Sequence, residues 1–376
     1  MPRVSVIIPT YNYARFIEQA IESVLVQSYR DFEIIVVDDG STDNTEEVVA
    51  KFDNRVHYIR QANRGPNAAR NTGIRAARGE FIAFLDADDL WLPEKLALQI
   101  ELAAARPEAG LIYGGILLFD SATQAVIGYA PLSRLHEGWV MRHLYMDQFV
   151  TSPTPLIRRE VFEQVGIFDE RCMRSDDWDM WLRIAASYQF ALVPKPLALY
   201  RVHKSIASSK SLEAYAAEMV AFFERMAREY PAALADLKQQ RLGRFQGEIG
   251  RRYLAQGVLA SARRWLLAAI KTWPWSWWNY WLLVSTFLGP ERSLAKTQQS
   301  HIDYLKGKQC LGRGELAEAR RFFIRSIRGN PWEKRNAYLG LLLSLVGKRW
   351  ARKVMKYRFI DTEKNISDGL EMGSQL

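Results

Sequence analysis

Three short apolar runs at the front of the chain each stop at a polar cluster, and this pattern constrains the fold more than any other feature. VSVIIPT (4–10) delivers Thr10, Tyr11 and Asn12; FEIIVVDD (32–39) delivers Asp38 and Asp39, followed by Gly40; FIAFLDADD (81–89) delivers Asp86, Asp88 and Asp89. Runs so short and so rich in Val and Ile fit strands buried on both faces. Between the first two, ARFIEQAIESVLVQ puts Phe16, Ile17, Ile21, Val24 and Leu25 at the spacing of one helix face. DGSTDNTEEVVAKF predicts another helix, opening at Ser41 or Thr42 with acids in its first turn. Alternation of strand and helix implies a parallel sheet covered on both sides. Ligands of such sheets bind beyond the carboxyl ends of the strands, so the three clusters should converge on one cleft.

Like charges as close as Asp86, Asp88 and Asp89 repel unless something cationic sits between them. Two carboxylates one residue apart at a strand end can face a hard cation and leave room for water and phosphate oxygens, which is how magnesium or manganese carries a diphosphate. The competing structural role is a cap for the helix expected near Pro93 in LPEKLALQIELAAA. A cap needs one acid, and three do not improve it.

The other clusters are less specific. Asp38 and Asp39 either begin a turn, as DDGS sequences do, or accept hydrogen bonds from a base or ribose. Tyr11 either packs or stacks on that base. In SDDWDMWLRIA (175–185), acids in the first turn of a helix are favoured whatever the function. Beside a metal-diphosphate site, a spare carboxylate there becomes a candidate general base. His203, in LYRVHKS, reads by itself as structural or solvent-exposed.

At 376 residues the chain exceeds what one core supports, so a second domain or extension is expected. Charge divides it: residues 1–210 hold about 23 Lys/Arg against 27 Asp/Glu, whereas 211–376 hold about 28 against 15. The strand signal fades beyond about 205, and the basic part contains a repeat at an offset of about 57 residues. GVLASARRWLLAAIKTWPW (257–275) matches GELAEARRFFIRSIRGNPW (314–332), sharing Gly257 with Gly314 and Pro274-Trp275 with Pro331-Trp332. Each copy predicts a helical hairpin of tetratricopeptide-like rhythm. The expected division is therefore 1–210 and 211–376, with a frayed polar tail after Asp361.

Cys172 and Cys310 lack metal spacing, which excludes a disulfide framework and a zinc site. The N-terminus turns polar too early for a secretory signal, and the run from Trp273 to Leu288 is too short and too interrupted to span a bilayer. A cytoplasmic protein is expected. The Trp-rich stretch has two readings, as the core between hairpins or as a peripheral contact with the inner face of an anionic membrane. Nucleic acid is not expected as a partner, because basic charge without a motif gives only unspecific binding.

VSVIIPTYN, EIIVVDDGSTDNT, NRGPNAARNTGIRAARGEFIAFLDADD, DDWDMWLR and YRVH occur in the order and approximate spacing of family 2 glycosyltransferases, which the first 205 residues resemble. The resemblance implies a GT-A fold, a Rossmann-like mixed α/β sheet, here with an all-α extension. It implies an inverting, metal-dependent transfer of sugar from a nucleotide diphosphate donor, with UDP favoured, to a glycan or lipid-linked glycan in bacterial surface polysaccharide biosynthesis. Thr10, Tyr11 and Asp39 match residues that hold the base and ribose, with Asp38 beside them and Arg70 near the diphosphate. Asp86 and Asp88 match the DXD motif that carries Mn2+ or Mg2+, and His203 matches a histidine that completes the metal site in related enzymes. The base matches Asp176-Asp177, where the family usually has Glu-Asp; Asp177 is favoured over Asp176. The rival readings are a catalytically silent scaffold that binds a partner through the repeats, and a nucleotidyltransferase, for which VSVIIPTYNYARF lacks the glycines of a triphosphate loop.

Overall fold

The computed structural model describes residues 1–129, 135–172, 175–202, 212–287, 303, 306, 310 and 315–329. The chain divides into two compact units, Met1–Lys238 and Gln239–Leu376.

In the first unit, strand β1 (Val4–Thr10) is buried along its whole length. It pairs in parallel with β2 (Phe32–Asp38) on one side and with β4 (Phe81–Phe84) on the other, and β3 (His57–Arg60) extends the sheet beyond β2. Helix α1 (Ala14–Leu25) buries Phe16, Ile17, Ala20, Ile21 and Val24 in the core shared with Val4, Val6 and Ile8. The opposite face of β1 meets α3 (Pro66–Ala76), where a Cβ on Gly73 would come within 2.4 Å of Ile7, so only glycine allows that approach.

The sheet then becomes mixed. The three-residue strand β8 (Leu156–Arg158) lies antiparallel between β4 and β6 (Ala109–Asp120), and β9 (Gln189–Val202) runs parallel to β6. Two reversals restore the original direction, so the carboxyl end of β9 emerges on the same edge as those of β1, β2 and β4. The order across the nine-stranded sheet is β3-β2-β1-β4-β8-β6-β9-β5, with β5 (Leu90–Trp91) antiparallel on β9 and β7 (Val126–Tyr129) paired to β6.

Two boundaries differ from expectation. The strand of FIAFLDADD ends at Phe84, and helix α4 starts beyond Pro93, at Lys95–Ala105. Helix α2 starts at Thr45–Ala50 rather than at Ser41 or Thr42. Ser41 Oγ accepts the Asn12 N–H at 2.9 Å and the Thr42 N–H donates to Asn12 Oδ1 at 2.7 Å, so this segment joins the two strand-end loops instead of capping a helix.

The rest of the unit comprises α5 (Met141–Met146), α6 (Arg159–Val165), α7 (Asp176–Ala185), α8 (Leu212–Glu229) and α9 (Pro231–Leu234). Phe223 of α8 meets Trp178 of α7 and Tyr145 of α5 edge-on, at 5.1 and 5.8 Å between ring centroids. These aromatic contacts make α8 part of the sheet unit, whose boundary falls later than residue 210.

The second unit contains α11 (Leu259–Thr272) and α12 (Trp277–Ser285), reached through α10 (Lys238–Ala255), together with α13 (Leu316–Gly329). The first repeat copy, 257–275, holds one helix, α11, which pairs with α12 just beyond it: Leu254, Ala262, Leu266 and Leu282 form a shared core, with Trp278 and Trp281 packed against it. Trp275, Tyr280, Val284 and Phe287 are exposed, so the Trp-rich stretch serves both as core and as surface. In the second copy α13 is helical as expected, while Gly314, Pro331 and Trp332, like the tail after Asp361, lie outside the described residues. Among the described residues no helix is long and apolar enough to cross a membrane.

Candidate active site

Parallel pairing of β1 with β2 sets Thr10 beside Asp38, and the next amide, Asp39 N–H, donates to the Thr10 carbonyl at 2.9 Å. Asn12 adopts the left-handed conformation, φ 58°, which asparagine tolerates better than most residues. Its Oδ1 accepts the N–H groups of both Thr42 and Asp43. Asp39 accepts Gln61 Nε2 and the Arg64 N–H on Oδ1, at 2.7 and 3.0 Å, and the Gly65 N–H on Oδ2 at 2.7 Å. Gly65 has φ 93°, a turn that suits glycine, and α3 starts at the next residue, Pro66. Asp39 thus shapes the rim of a cleft of about 600 Å³ lined by Thr10, Tyr11, Tyr13, Asn63, Arg70, Asp86, Asp88 and Tyr200. Thr10 Oγ1 is buried in this wall with no hydrogen-bond partner, while Tyr11 is 44% exposed.

Asp38 is not in the cleft. It is fully buried, its Oδ1 accepts the Ser41 N–H at 2.7 Å, and its Oδ2 accepts the Tyr58 hydroxyl at 2.6 Å. Burial and then the Asp38 carboxylate push the Tyr58 phenol well above its ordinary range, so the bond is kept. Asp38, expected beside the nucleotide, is placed under the turn, with both carboxylate oxygens engaged by Ser41 and Tyr58.

The acids after β4 are held by a tight turn in which the Asp89 N–H donates to the Asp86 carbonyl. Asp86 and Asp88 are partly exposed, whereas Asp89 is 2% exposed and its Oδ1 accepts the backbone N–H of Arg201 on β9 at 2.8 Å. Asp89 therefore does not cap α4. Burial first, then Asp86 and Asp88, raise its carboxyl well above the usual range, against the pull of Arg201. The hard oxygens of Asp86 and Asp88 in an open cleft are the donor type that Mn2+ or Mg2+ takes. Among the described residues no third His, Cys, Asp or Glu joins them to make a closed cage. His203 lies outside the described residues.

Arg70 links the two groups of acids that the sequence left separate. Its side chain is 7% exposed; Nη2 donates to Asp86 Oδ1 and Nη1 to Asp176 Oδ2, both at 2.9 Å, and Asp177 Oδ1 lies 3.7 Å from Nη1. Burial opposes the charge on Arg70, but Asp177, Asp86 and Asp176 together outweigh it and hold the guanidinium protonated. Asp177 Oδ1 is buried with no hydrogen-bond partner. Burial raises its carboxyl to about 7 against the opposing charge of Arg70, and Asp176 and Asp86 add to the rise.

Neighbours of Arg70 complete the link. Asn67 Nδ2 donates to the carbonyls of Asp169 and Cys172, and Asn71 Nδ2 to that of Phe168. The segment that leads to Asp176 is thereby pinned to α3. Polar residues at i, i+3 and i+4 on an otherwise alanine-rich helix were the signal for this contact. Tyr200 gave no such signal; its phenol is pushed up to about 12 by burial, with Asp89, Asp86 and Asp88 adding to the effect.

Comparison with known proteins agrees with this geometry. Residues 5–166 match the family described as "Glycosyl transferase family 2". The chain is 30% identical over 234 residues to an uncharacterised glycosyltransferase of Rickettsia typhi, covering 61% of this chain and 74% of the relative. It is 45% identical over 214 residues to an uncharacterised glycosyltransferase of Nostoc sp., covering 54% and 65% respectively. In fold it is similar to the crystal structure of residues 1–349 of S. aureus TarS in complex with UDP-GlcNAc, with a TM-score of 0.53, 22% identity and coverage of 72% of this chain and 81% of that one. With its half-parallel mixed sheet, its cleft at the strand ends and these relatives, the chain belongs to glycosyltransferase family 2 and carries the GT-A fold with C-terminal helices.

Proposed function

We propose that this glycosyltransferase moves a sugar from a nucleotide diphosphate donor, UDP being the favoured carrier, to a hydroxyl of a glycan or lipid-linked glycan, inverting the anomeric carbon. The observation that carries the reading is Arg70, one buried guanidinium that ties Asp86 at the donor side to Asp176 and Asp177. In this reading Tyr11 and Thr10 receive the base and ribose at a rim shaped by Asp39, and Arg70 brings positive charge to the diphosphate. Asp86 and Asp88, with His203, would hold Mn2+ or Mg2+, which when bound neutralises the charge that develops on the leaving nucleoside diphosphate.

Asp177 acts as the base. Asp176 is engaged with Arg70 at 2.9 Å, whereas Asp177 stands at 3.7 Å, beyond hydrogen-bond reach. A carboxyl at about 7 is about half ionised near neutrality, and its ionised form is basic enough to take an acceptor proton as the hydroxyl attacks. Attack opposite the leaving group inverts the configuration and needs no covalent intermediate.

The second unit supports a peripheral contact at the inner face of the membrane, where lipid-linked acceptors for surface polysaccharide would be met. Residues 239–376 hold 25 Lys/Arg against 10 Asp/Glu, and Trp275 and Phe287 are 80% and 68% exposed. Basic charge and aromatic rings are the pair that an anionic interface selects.

Incubation of the full chain with Mn2+ and a panel of nucleotide sugars, reading nucleoside diphosphate release, tests the core of the proposal. Release from one donor is expected, lost by roughly 10³-fold in Asp88→Asn, as when charge stabilisation at a leaving group is removed. Nuclear magnetic resonance of the fresh product should find the inverted anomer. A retained anomer, or no release from any donor, would overturn the reading.

A further inference from the structure

Arg201 is 1% exposed, one residue from the end of β9, with its guanidinium between the rings of Phe16 and Phe119 at 4.6 and 4.5 Å. Its Nε donates to the carbonyl of Asp88 at 2.5 Å, and Nη2 donates to Gln19 Oε1 on α1 at 2.7 Å. Its own backbone N–H donates to Asp89 Oδ1. The arrangement is reciprocal. The side chain of residue 201 grips the main chain of residue 88, and the side chain of residue 89 grips the main chain of residue 201.

Burying a guanidinium is costly, and an apolar side chain would fill a slot between two phenyl rings more cheaply. What arginine adds here is a pair of fixed donors, one on the backbone of an acid that lines the cleft and the other on α1. Asp89 also borders the cleft, but it is 2% exposed, with one oxygen taken by the Arg201 N–H and the other buried without a hydrogen-bond partner.

We propose that Arg201 and Asp89 are positioning residues for the cation site. Their clasp fixes the main chain of Asp88, and so the direction of its carboxylate, before a divalent cation and its diphosphate arrive. A ligand held in place by its neighbours loses less freedom on binding the ion, and such supporting contacts are as much a part of a metal site as the ligands. The inference rests on the reading of Asp88 as a cation ligand.

The test titrates Mn2+ into full-chain protein in the presence of UDP, reading free Mn2+ by electron paramagnetic resonance, with a thermal melt of each variant. Arg201→Lys keeps the charge but not the two-pronged reach, and should weaken Mn2+ binding about 10–100-fold, as loss of a supporting partner does. Excess Mn2+ should then restore most of the turnover, which general destabilisation would not allow. Asp89→Asn keeps an acceptor for the Arg201 N–H and should bind within about threefold of the parent, while Asp89→Ala should fall with Arg201→Lys. Parent-like binding in a folded Arg201→Lys overturns the proposal, as does Asp89→Asn as deficient as Asp88→Asn. If Arg201→Lys does not fold, the two Asp89 variants decide, and equal binding by them overturns it. If Asp88→Asn itself binds Mn2+ normally, the cation reading falls first, and the clasp with it.

Discussion

As the proposed base, Asp177 would have to be a carboxylate to act, yet it is easier to bury as the acid. Its carboxyl lies at about 7, against an ordinary value of 3.8. The folded state thus binds a proton that the unfolded chain has already lost, and stability falls as pH rises from about 4 to 7. Activity moves the other way: kcat/KM should climb through an apparent pKa near 7 and level off above it. Asp177→Asn should cut turnover by about 10²–10⁴-fold yet raise Tm at pH 8 by roughly 2–4 °C, the shift that about 1 kcal/mol gives a domain of this size. A variant equally inactive but less stable at pH 8 would count against burial as the cause of the raised value.

Asp38 and Asp39 show what a sequence cannot separate at this scale. Both follow the same buried strand, but successive residues leave a strand on opposite sides. One entered the rim of the cleft and the other the underside of the turn. Asp38→Ala should therefore leave the KM for donor nearly unchanged and destabilise the fold by about 1–3 kcal/mol, the cost of stranding buried hydrogen-bond partners. That Asp86 and Asp88 line the cleft was legible because carboxylates crowded at the end of an apolar run stand out as a polar cluster at a strand end. Arg70 was legible as a site residue but not as a link, because the acids it joins lie 16 and 106 residues away.

Helices were legible from apolar spacing, and α1 buries the face its sequence announces. The mixed sheet was not, because β8 is only three residues long and carries no alternation to read. Nor was the docking of α8. Asp179, 1% exposed, is held by Arg183 Nε of its own helix at 2.9 Å and by Arg225 Nη2 of α8 at 2.5 Å. Arg225→Met should cost about 3 kcal/mol or more, because it strips one partner from a buried carboxylate, and chemical denaturation measures the loss. In α10, a Cβ on Gly243 would lie 2.3 Å from Cβ of Trp273, so Gly243→Ala must push the helices apart. A drop of about 1–3 kcal/mol is expected there, the usual cost of overpacking.

Across the whole molecule, charge is divided. Residues 1–238 hold 26 Lys/Arg against 32 Asp/Glu, while 239–376 are strongly basic. Co-flotation of the full chain with vesicles rich in anionic lipid, but not with neutral ones, is expected, and raised salt should weaken it. Trp275→Ala combined with Phe287→Ser should weaken it at constant charge; an unchanged float in that variant would leave charge alone as the cause.

The return of β9 to the edge where β1 ends also sets when the enzyme becomes competent. Arg201 meets Asp89 across 112 residues of sequence and Gln19 across 182. Contacts so remote close only after most of the chain has collapsed. A chain emerging from the ribosome has Asp86 and Asp88 early but lacks the strand proposed to steady them until just over half its length is made. If the clasp orders the cation site as proposed, donor binding should appear only in the last phase of refolding.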